Sequence, residues 1–334
     1  MTELKKLLPA LSKAACIGHH RQAMETAAGY LKEFSEVTLT PNGLRAAINR
    51  NSDYTLLLEA HIDEIGMIVT GVYDDGFLSV SPVGSVDGRF LPSTPVTVLG
   101  KEPVRGVFTS IPPHLKKEEE TPGFDNCFID TGNPEIKELV SPGDYALFEA
   151  DPLVLANGRL TGKALDNRAG VAAVIAAAEK IARSNCPVNT VLLFPTGEER
   201  GCRGARTEVF ATSADESISV DVSFGDCPDV PPHKTAPLDS GAMIGLSPVL
   251  SRGIYQRLAQ IAETFKIPHT REIMGGTTST DADVIALTGA GIPAGLISVP
   301  LRNMHTPCEV ISLRDVEAVA ELIYRYVVGG GLRG

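Results

Sequence analysis

The chain has 334 residues, 43% of them hydrophobic, and a formal net charge of −11, with a sequence pI of about 5.2 and a mean hydropathy of +0.06. That length supports a large core and a second, smaller unit. The acidity excludes a nucleic-acid or anionic-membrane surface, since either needs a cationic patch.

Cys16, Cys127, Cys186, Cys202, Cys227 and Cys308 are scattered without a Cys-x-x-Cys pair, the pattern of reduced intracellular thiols. Pro9 and Lys13 interrupt any signal-peptide core behind Lys5-Lys6-Leu7-Leu8, and no apolar run approaches the roughly 18 residues of a membrane span. The expectation is a cytoplasmic protein with no nucleic-acid or membrane partner.

Leu4, Leu7, Leu8 and Leu11 fall on one helical face and open the chain with a helix. A second helix is expected near 20–34, then strands near 44–49 and 55–60. Leu56-Leu57-Leu58 lacks polar alternation, as a strand covered on both faces does. From residue 66 to about 159 the texture changes to short alternating segments, many prolines, and turn signals at Asp74-Asp75-Gly76 and Asp87-Gly88. This predicts an inserted β-rich domain, in which the charged run Lys116 to Glu120 is a solvated loop. Helix–strand alternation then resumes at 168–183, 190–194, 217–224, 252–265, 282–287, 294–299 and 313–328. The fold class expected is α/β, with a mostly parallel central sheet and helices on both faces. The larger domain is split in sequence into 1–65 and 160–334, around an insert at 66–159.

Polar groups recur at the ends of the apolar runs. Val191-Leu192-Leu193-Phe194 stops at Pro195 and Gly197 and is followed by Glu198-Glu199, where ligands gather in open α/β sheets. Adjacent side chains cannot point the same way. The two carboxylates therefore suit two roles, one on a metal and one moving protons, although a plain acidic helix start is the simpler reading. His61-x-Asp63 follows the leucine strand, and the spacing permits Asp63 to accept from the imidazole and fix its tautomer. Asp166 precedes an Ala/Val-rich helix, where Asp is also a common cap. Asp221 lies inside Ile218-Ser219-Val220-Asp221-Val222, and a carboxylate in a buried strand costs several kcal/mol, ~2–7, unless paired or bound to metal. His305 follows another apolar strand, and alone it reads as an ordinary loop residue. Taken together, two imidazoles and three carboxylates (His61, Asp166, Glu199, Asp221, His305) suit a pair of Zn²⁺ or similar ions better than Ca²⁺ or Mg²⁺. Two such ions roughly 3.5–4 Å apart need one bridging carboxylate and one bridging water.

The segments Ala60-His61-Ile62-Asp63-Glu64-Ile65-Gly66, Gly162-Lys163-Ala164-Leu165-Asp166-Asn167-Arg168, Thr196-Gly197-Glu198-Glu199-Arg200-Gly201, Val220-Asp221-Val222 and Pro300-Leu301-Arg302 through His305-Thr306-Pro307 resemble, in order, the motifs of a known family. It comprises the cytoplasmic dinuclear metallo-aminopeptidases, including glutamyl aminopeptidases and tetrahedral (TET) aminopeptidases, some labelled endoglucanase. The resemblance implies that His61 and Asp221 hold one metal, Glu199 and His305 the other, and that Asp166 bridges them. It also implies that Asp63 supports His61 and that Glu198 is the general base. By the same resemblance the insert is a PDZ-like domain used in oligomer contacts, and dimers build hollow dodecamers. Two divalent ions per subunit are implied, Zn²⁺ first, with Co²⁺ or Mn²⁺ as alternatives, acting on short peptides. The chain departs from the pattern at Thr278-Ser279-Thr280, inserted ahead of Asp281-Ala282, at Asn303, and at Ile17-Gly18-His19-His20. The first two departures are expected to border the substrate pocket.

Two other readings remain. Glycoside hydrolysis needs carboxyl groups ~5–9.5 Å apart across a sugar and aromatic platforms, which a chain with no Trp and 5% aromatic residues supplies poorly. A catalytically silent scaffold of the same fold conflicts with the complete ligand set.

Overall fold

The computed structural model describes residues 3–48, 51–112, 114–115 and 121–334. The run Lys116 to Glu120 and the last residue of the strand expected at 44–49 lie outside the described residues. The chain opens with α1 (Leu4–Lys13) and α2 (Gln22–Leu31), then β1 (Glu36–Thr40), β2 (Gly43–Ile48) and β3 (Thr55–Glu59). There follow β4 (Gly66–Val72), β5 (Phe77–Val83), β6 (Pro95–Leu99), β7 (Pro103–Phe108), β8 (Ile129–Asp130) and β9 (Tyr145–Phe148). The remainder comprises β10 (Leu153–Val154), β11 (Arg159–Gly162), α3 (Leu165–Ala182), β12 (Asn189–Pro195), α4 (Arg203–Glu208), β13 (Glu216–Phe224), β14 (Ala242–Leu246), α5 (Arg252–Phe265), β15 (His269–Ile273), α6 (Asp281–Ile285), β16 (Ala294–Arg302), β17 (Glu309–Ser312) and α7 (Leu313–Val328).

The large sheet runs β1-β2-β12-β3-β13-β16-β17-β11-β10, with β14 beside β16 and β15 beside β14. Its centre, β12-β3-β13-β16, is parallel. The flanking pairs β1–β2, β2–β12, β16–β17, β17–β11, β11–β10 and β14–β16 are antiparallel. The expected parallel sheet is thus the middle of a wider mixed one. Both faces of the centre are covered: Leu56, Leu58, Leu192 and Phe194 pack into a cluster with α1, α2, α3, α5 and α7. Leu57 and Leu193 face Ala205, Val209 and Ile285 near α4 and α6 on the other side. Full burial of each such leucine is worth about 1.5–3 kcal/mol.

Strands β4 to β9 close into a separate antiparallel barrel, ordered β4-β5-β8-β7-β6-β9. It has its own core of Met67, Val69, Leu78, Val96, Phe108 and Ile129. The barrel departs from the sheet directly after the loop that carries His61 and Asp63.

A buried ionic knot fixes the start of α3 against the N-terminal segment. Arg168, fully buried, donates to the carbonyls of Leu11 at 2.6 Å and Ala14 at 3.1 Å and to Glu64 at 3.3 Å. Glu64 also accepts from the Cys16 N–H at 2.9 Å and pairs with Lys163. Arg168→Met leaves two carbonyls and part of a carboxylate unpaired in the interior. The expected loss is about 3–5 kcal/mol, read as a lower midpoint in chemical denaturation; an unchanged midpoint would contradict the knot's structural role.

Candidate metal centre

Every sequence-predicted residue lies at the carboxyl edge of the parallel strands or next to it. β3 ends at Glu59, one residue earlier than expected, so His61 and Asp63 sit in the following loop rather than on the strand. That loop is tied to β12, with Ala60 N–H on Leu193 O at 3.1 Å and Ile62 N–H on Pro195 O at 2.9 Å. Glu198 and Glu199 occupy a single 3₁₀ turn after β12, bracketed by Gly197 at φ +81° and Gly201 at φ +89°. Left-handed positions at both ends of the turn favour glycine, which accounts for Gly197-Glu-Glu-Arg-Gly201 as a unit. Asp221 projects from β13, and Asp166 lies in the non-helical first turn of α3. Asn167 pins that turn to β13 by donating to Val220 O at 2.7 Å. His305 follows β16 in a left-handed conformation, φ +61°.

The chain brings these residues into two overlapping groups, His61–Asp166–Asp221 and Asp166–Glu199–His305, whose ligand atoms lie within 4.8 Å of one another. Asp166 belongs to both, through opposite oxygens: Oδ1 is 3.1 Å from His61 Nε2, and Oδ2 is 3.3 Å from His305 Nε2. His61 Nε2 is 3.7 Å from Asp221 Oδ1, and His305 Nε2 is 3.4 Å from Glu199 Oε1. Asp63 Oδ1 faces His61 Nδ1 at 3.5 Å and accepts the Glu198 N–H at 3.2 Å. It thus connects the imidazole to the backbone of the paired glutamates. Glu198 Oε2 stands 4.0 Å from His61 Nε2, and Glu198 Oε1 accepts from Cys202 Sγ at 3.8 Å.

The electrostatics describe a crowd of anions short of cations. Burial pushes the carboxyls of Asp221 and Glu199 above the usual range and that of Glu198 up to about 7. Burial also opposes charge on His61 and Asp166. The neighbouring Asp166 and Asp63 nevertheless hold the His61 imidazole well above its usual value. Hydrogen bonds from His305 and His61 hold Asp166 below the usual carboxylate range. Buried His61 Nδ1 lacks a well-aligned hydrogen bond. Two imidazole nitrogens and three carboxylates clustered around a shared Asp form the nitrogen–oxygen donor set of zinc-type ions. Divalent cations would offset the excess negative charge, and the residues present therefore fit a metal pair.

Glu309 was not singled out in the sequence. It accepts the Asp166 N–H at 3.0 Å on Oε2 and the His305 N–H at 2.9 Å on Oε1, holding the bridging Asp and the left-handed His together. Its only sequence signal is position, four residues past His305. Glu64 is similar, adjacent to Asp63 but serving the Arg168 knot instead. His19, His20, His114 and His269 stand outside the cavity described next, whereas exposed His233 is among its lining residues.

The centre opens into a cavity of about 720 Å³. Thr277, Thr278, Ser279 and Thr280 line it, as expected of the departure there. Asn303 does not: its amide donates to Cys308 O at 3.1 Å, which closes the His305 loop on itself. The second departure thus shapes the loop whose next residue, Met304, lines the cavity, and it lies beside the pocket as expected. Phe224 is the one Phe or Tyr lining the cavity among the described residues, so the stacked aromatic platforms of a carbohydrate groove are missing there.

A shared carboxylate flanked by two imidazole–carboxylate groups, at the carboxyl edge of an α/β sheet and at the end of a deep cavity, defines a metallohydrolase. The profile of the M42 glutamyl aminopeptidase family matches residues 42–322. The lysyl aminopeptidase of Pyrococcus furiosus is 28% identical over 296 residues, 86% of this chain and 85% of that protein. Among solved structures, an aminopeptidase from Desulfurococcus kamchatkensis aligns with a TM-score of 0.91 at 28% identity, covering 98% of this chain and 95% of the other. The TET1 peptidase of Pyrococcus horikoshii, which can assemble into a tetrahedron or a large octahedral shell, aligns with a TM-score of 0.85 at 26% identity, covering 97% and 99%. The chain belongs to the M42 glutamyl aminopeptidase family. It is a hydrolase with aminopeptidase activity, from a metal-dependent family.

Proposed function

We propose that the chain removes N-terminal residues from short peptides at a centre holding two divalent ions, Zn²⁺ in preference to Co²⁺ or Mn²⁺. The observation that carries this reading is Asp166, whose two oxygens face different imidazoles at 3.1 and 3.3 Å. In the proposal, His61 and Asp221 bind one ion, Glu199 and His305 the other, and Asp166 both. When bound, the ions polarise the scissile carbonyl and lower the pKa of the attacking water. Glu198 would take a proton from the attacking water and deliver it to the departing amine, so that one amide and one water become a carboxylic acid and an amine, which ionise to carboxylate and ammonium. Asp63 orients this base twice, through the Glu198 N–H and through His61. Glu309 keeps the Asp166 and His305 backbones in register.

The functional division proposed is a catalytic domain of 1–65 and 160–334 and an insert of 66–159 that makes contacts between copies. The assembly proposed is a homo-oligomer, dimers building to a dodecamer. Support comes from the assembly of the Pyrococcus horikoshii relative and from apolar Leu153, Val154 and Leu155 exposed at the β10 edge of the large sheet. A cytoplasmic setting is proposed from six free cysteines; no helix among the described residues is long and apolar enough to cross a membrane.

The test is hydrolysis of aminoacyl-p-nitroanilides by the purified chain, before and after EDTA and after Zn²⁺ or Co²⁺ is restored. Cleavage that EDTA abolishes and metal restores is expected. Cleavage indifferent to chelation would overturn the metal-dependent reading, and the glycoside-hydrolase alternative predicts no cleavage of these anilides with or without metal.

A further inference from the structure

The cavity floor carries a carboxylate that the proposed chemistry leaves unused. Pairing places Asp221 (β13) beside Ser298 (β16), Ser298 beside Met243 (β14), and Met243 beside Thr270 (β15). Because side chains alternate along strands, Ser223 and Glu272 share that face with Asp221. Glu272 therefore belongs to the same floor as the metal centre, farther along the sheet. Its neighbour on β14 is Gly245, which offers no side chain to block its path across the strand. Glu272 reaches back over β14 to accept from Ser298 Oγ at 2.7 Å, and Ser223 adds a second hydroxyl contact. Its head thus lies one to two strand spacings, roughly 5–10 Å, from the Asp221 strand, the span of one long side chain.

No cation accompanies it. Among the described residues the groups that act on Glu272 are the two serines, and burial raises its carboxyl above the usual range. A half-buried carboxylate without a cationic partner is costly to keep ionised, and this one lines an open cavity rather than a closed core. Apolar Met243, Met274, Leu296 and Phe224 line the same cavity. A cavity that offers both apolar wall and a carboxylate suits a side chain with a methylene stem and a cationic head. His233, Lys234 and Arg271 also line the cavity, but all three are exposed. Solvent screens exposed cations, so their pull on an acidic substrate is weak.

We propose that Glu272 determines specificity and selects peptides whose N-terminal residue carries a long cationic side chain, lysine or arginine. The inference rests on the aminopeptidase reading above and adds its substrate class. In use, the substrate stem packs along Met243 and Leu296, and the cationic head pairs with Glu272, leaving the scissile carbonyl beside Asp166 and Glu198.

The experiment compares kcat/KM for lysyl-, arginyl-, leucyl- and glutamyl-p-nitroanilide with the metal-loaded full chain and its Glu272→Gln and Glu272→Asp variants, each checked for folding by circular dichroism. The wild type is expected to favour lysyl and arginyl over glutamyl derivatives. In Glu272→Gln the lysyl-to-leucyl ratio is expected to fall roughly 10–100-fold, the worth of one hydrogen bond to a charged group. Glu272→Asp is expected to keep part of the preference. A glutamyl preference in the wild type, or a ratio unchanged in Glu272→Gln, would overturn the assignment while leaving the aminopeptidase reading intact. Cleavage of none of the four would overturn both.

Discussion

Glu198→Gln is expected to lower kcat by about 10²–10⁴-fold while leaving the bound metal in place. The carboxylate and the amide have nearly the same shape, so the turn between Gly197 and Gly201 and the bond from the Glu198 N–H to Asp63 survive the change. What is lost is the ability to accept a proton from water and pass it on. Glu198 differs from Glu199 in its surroundings: Glu199 Oε1 faces the His305 imidazole at 3.4 Å, whereas Glu198 meets His61 only at 4.0 Å and has the Cys202 thiol as its donor. One glutamate is committed to the ligand cluster and its neighbour stands beside it, free to act. Kinetics together with metal analysis would check this, and turnover near wild type in the variant would contradict the role of Glu198 as base.

Asp166→Ala is expected to empty the site. Substituting partners that merely orient a ligand typically costs 10–100-fold in metal affinity. Asp166 contacts both groups directly, so the loss expected is greater than about 100-fold, with activity falling alongside. His305→Ala provides the contrast, because it removes one member of one group and leaves His61, Asp166 and Asp221 together. Metal titration followed by elemental analysis should therefore show Asp166→Ala binding neither ion tightly and His305→Ala retaining one. Wild-type affinity in Asp166→Ala would contradict its bridging position.

The strands that carry the centre were legible because they are buried on both faces. Leu56-Leu57-Leu58 and Leu192-Leu193-Phe194 need apolar groups at consecutive positions, and each runs directly into polar residues that a core alone does not explain. Asp221 was legible for the same reason, as the one carboxylate in an apolar run. The margins of the sheet were not. β15, His-Thr-Arg-Glu-Ile, is an edge strand with no fully buried residue and shows no apolar period, while β14 is interrupted by Gly245. Glu272 was hidden with β15, since its meaning depends on a reach across β14 that sequence spacing does not encode. Glu309 was missed because its carboxylate serves two backbone N–H groups, a task with no side-chain signature. Asn303 was placed beside the pocket by its position ahead of Met304, but its task as a local loop closure shows only in the bond to Cys308. The closed barrel was legible only as texture, because its alternating strands and turns are individually short.

In the proposed centre one carboxylate, Asp166, joins two cation sites that share a cavity with Glu198. Anomalous diffraction at the zinc edge, from crystals of the full chain grown with Zn²⁺, tests that arrangement. Two peaks per chain are expected, one touching His61 and Asp221, the other Glu199 and His305, and both touching Asp166. A single peak, or a pair in which Asp166 touches neither ion, would contradict it.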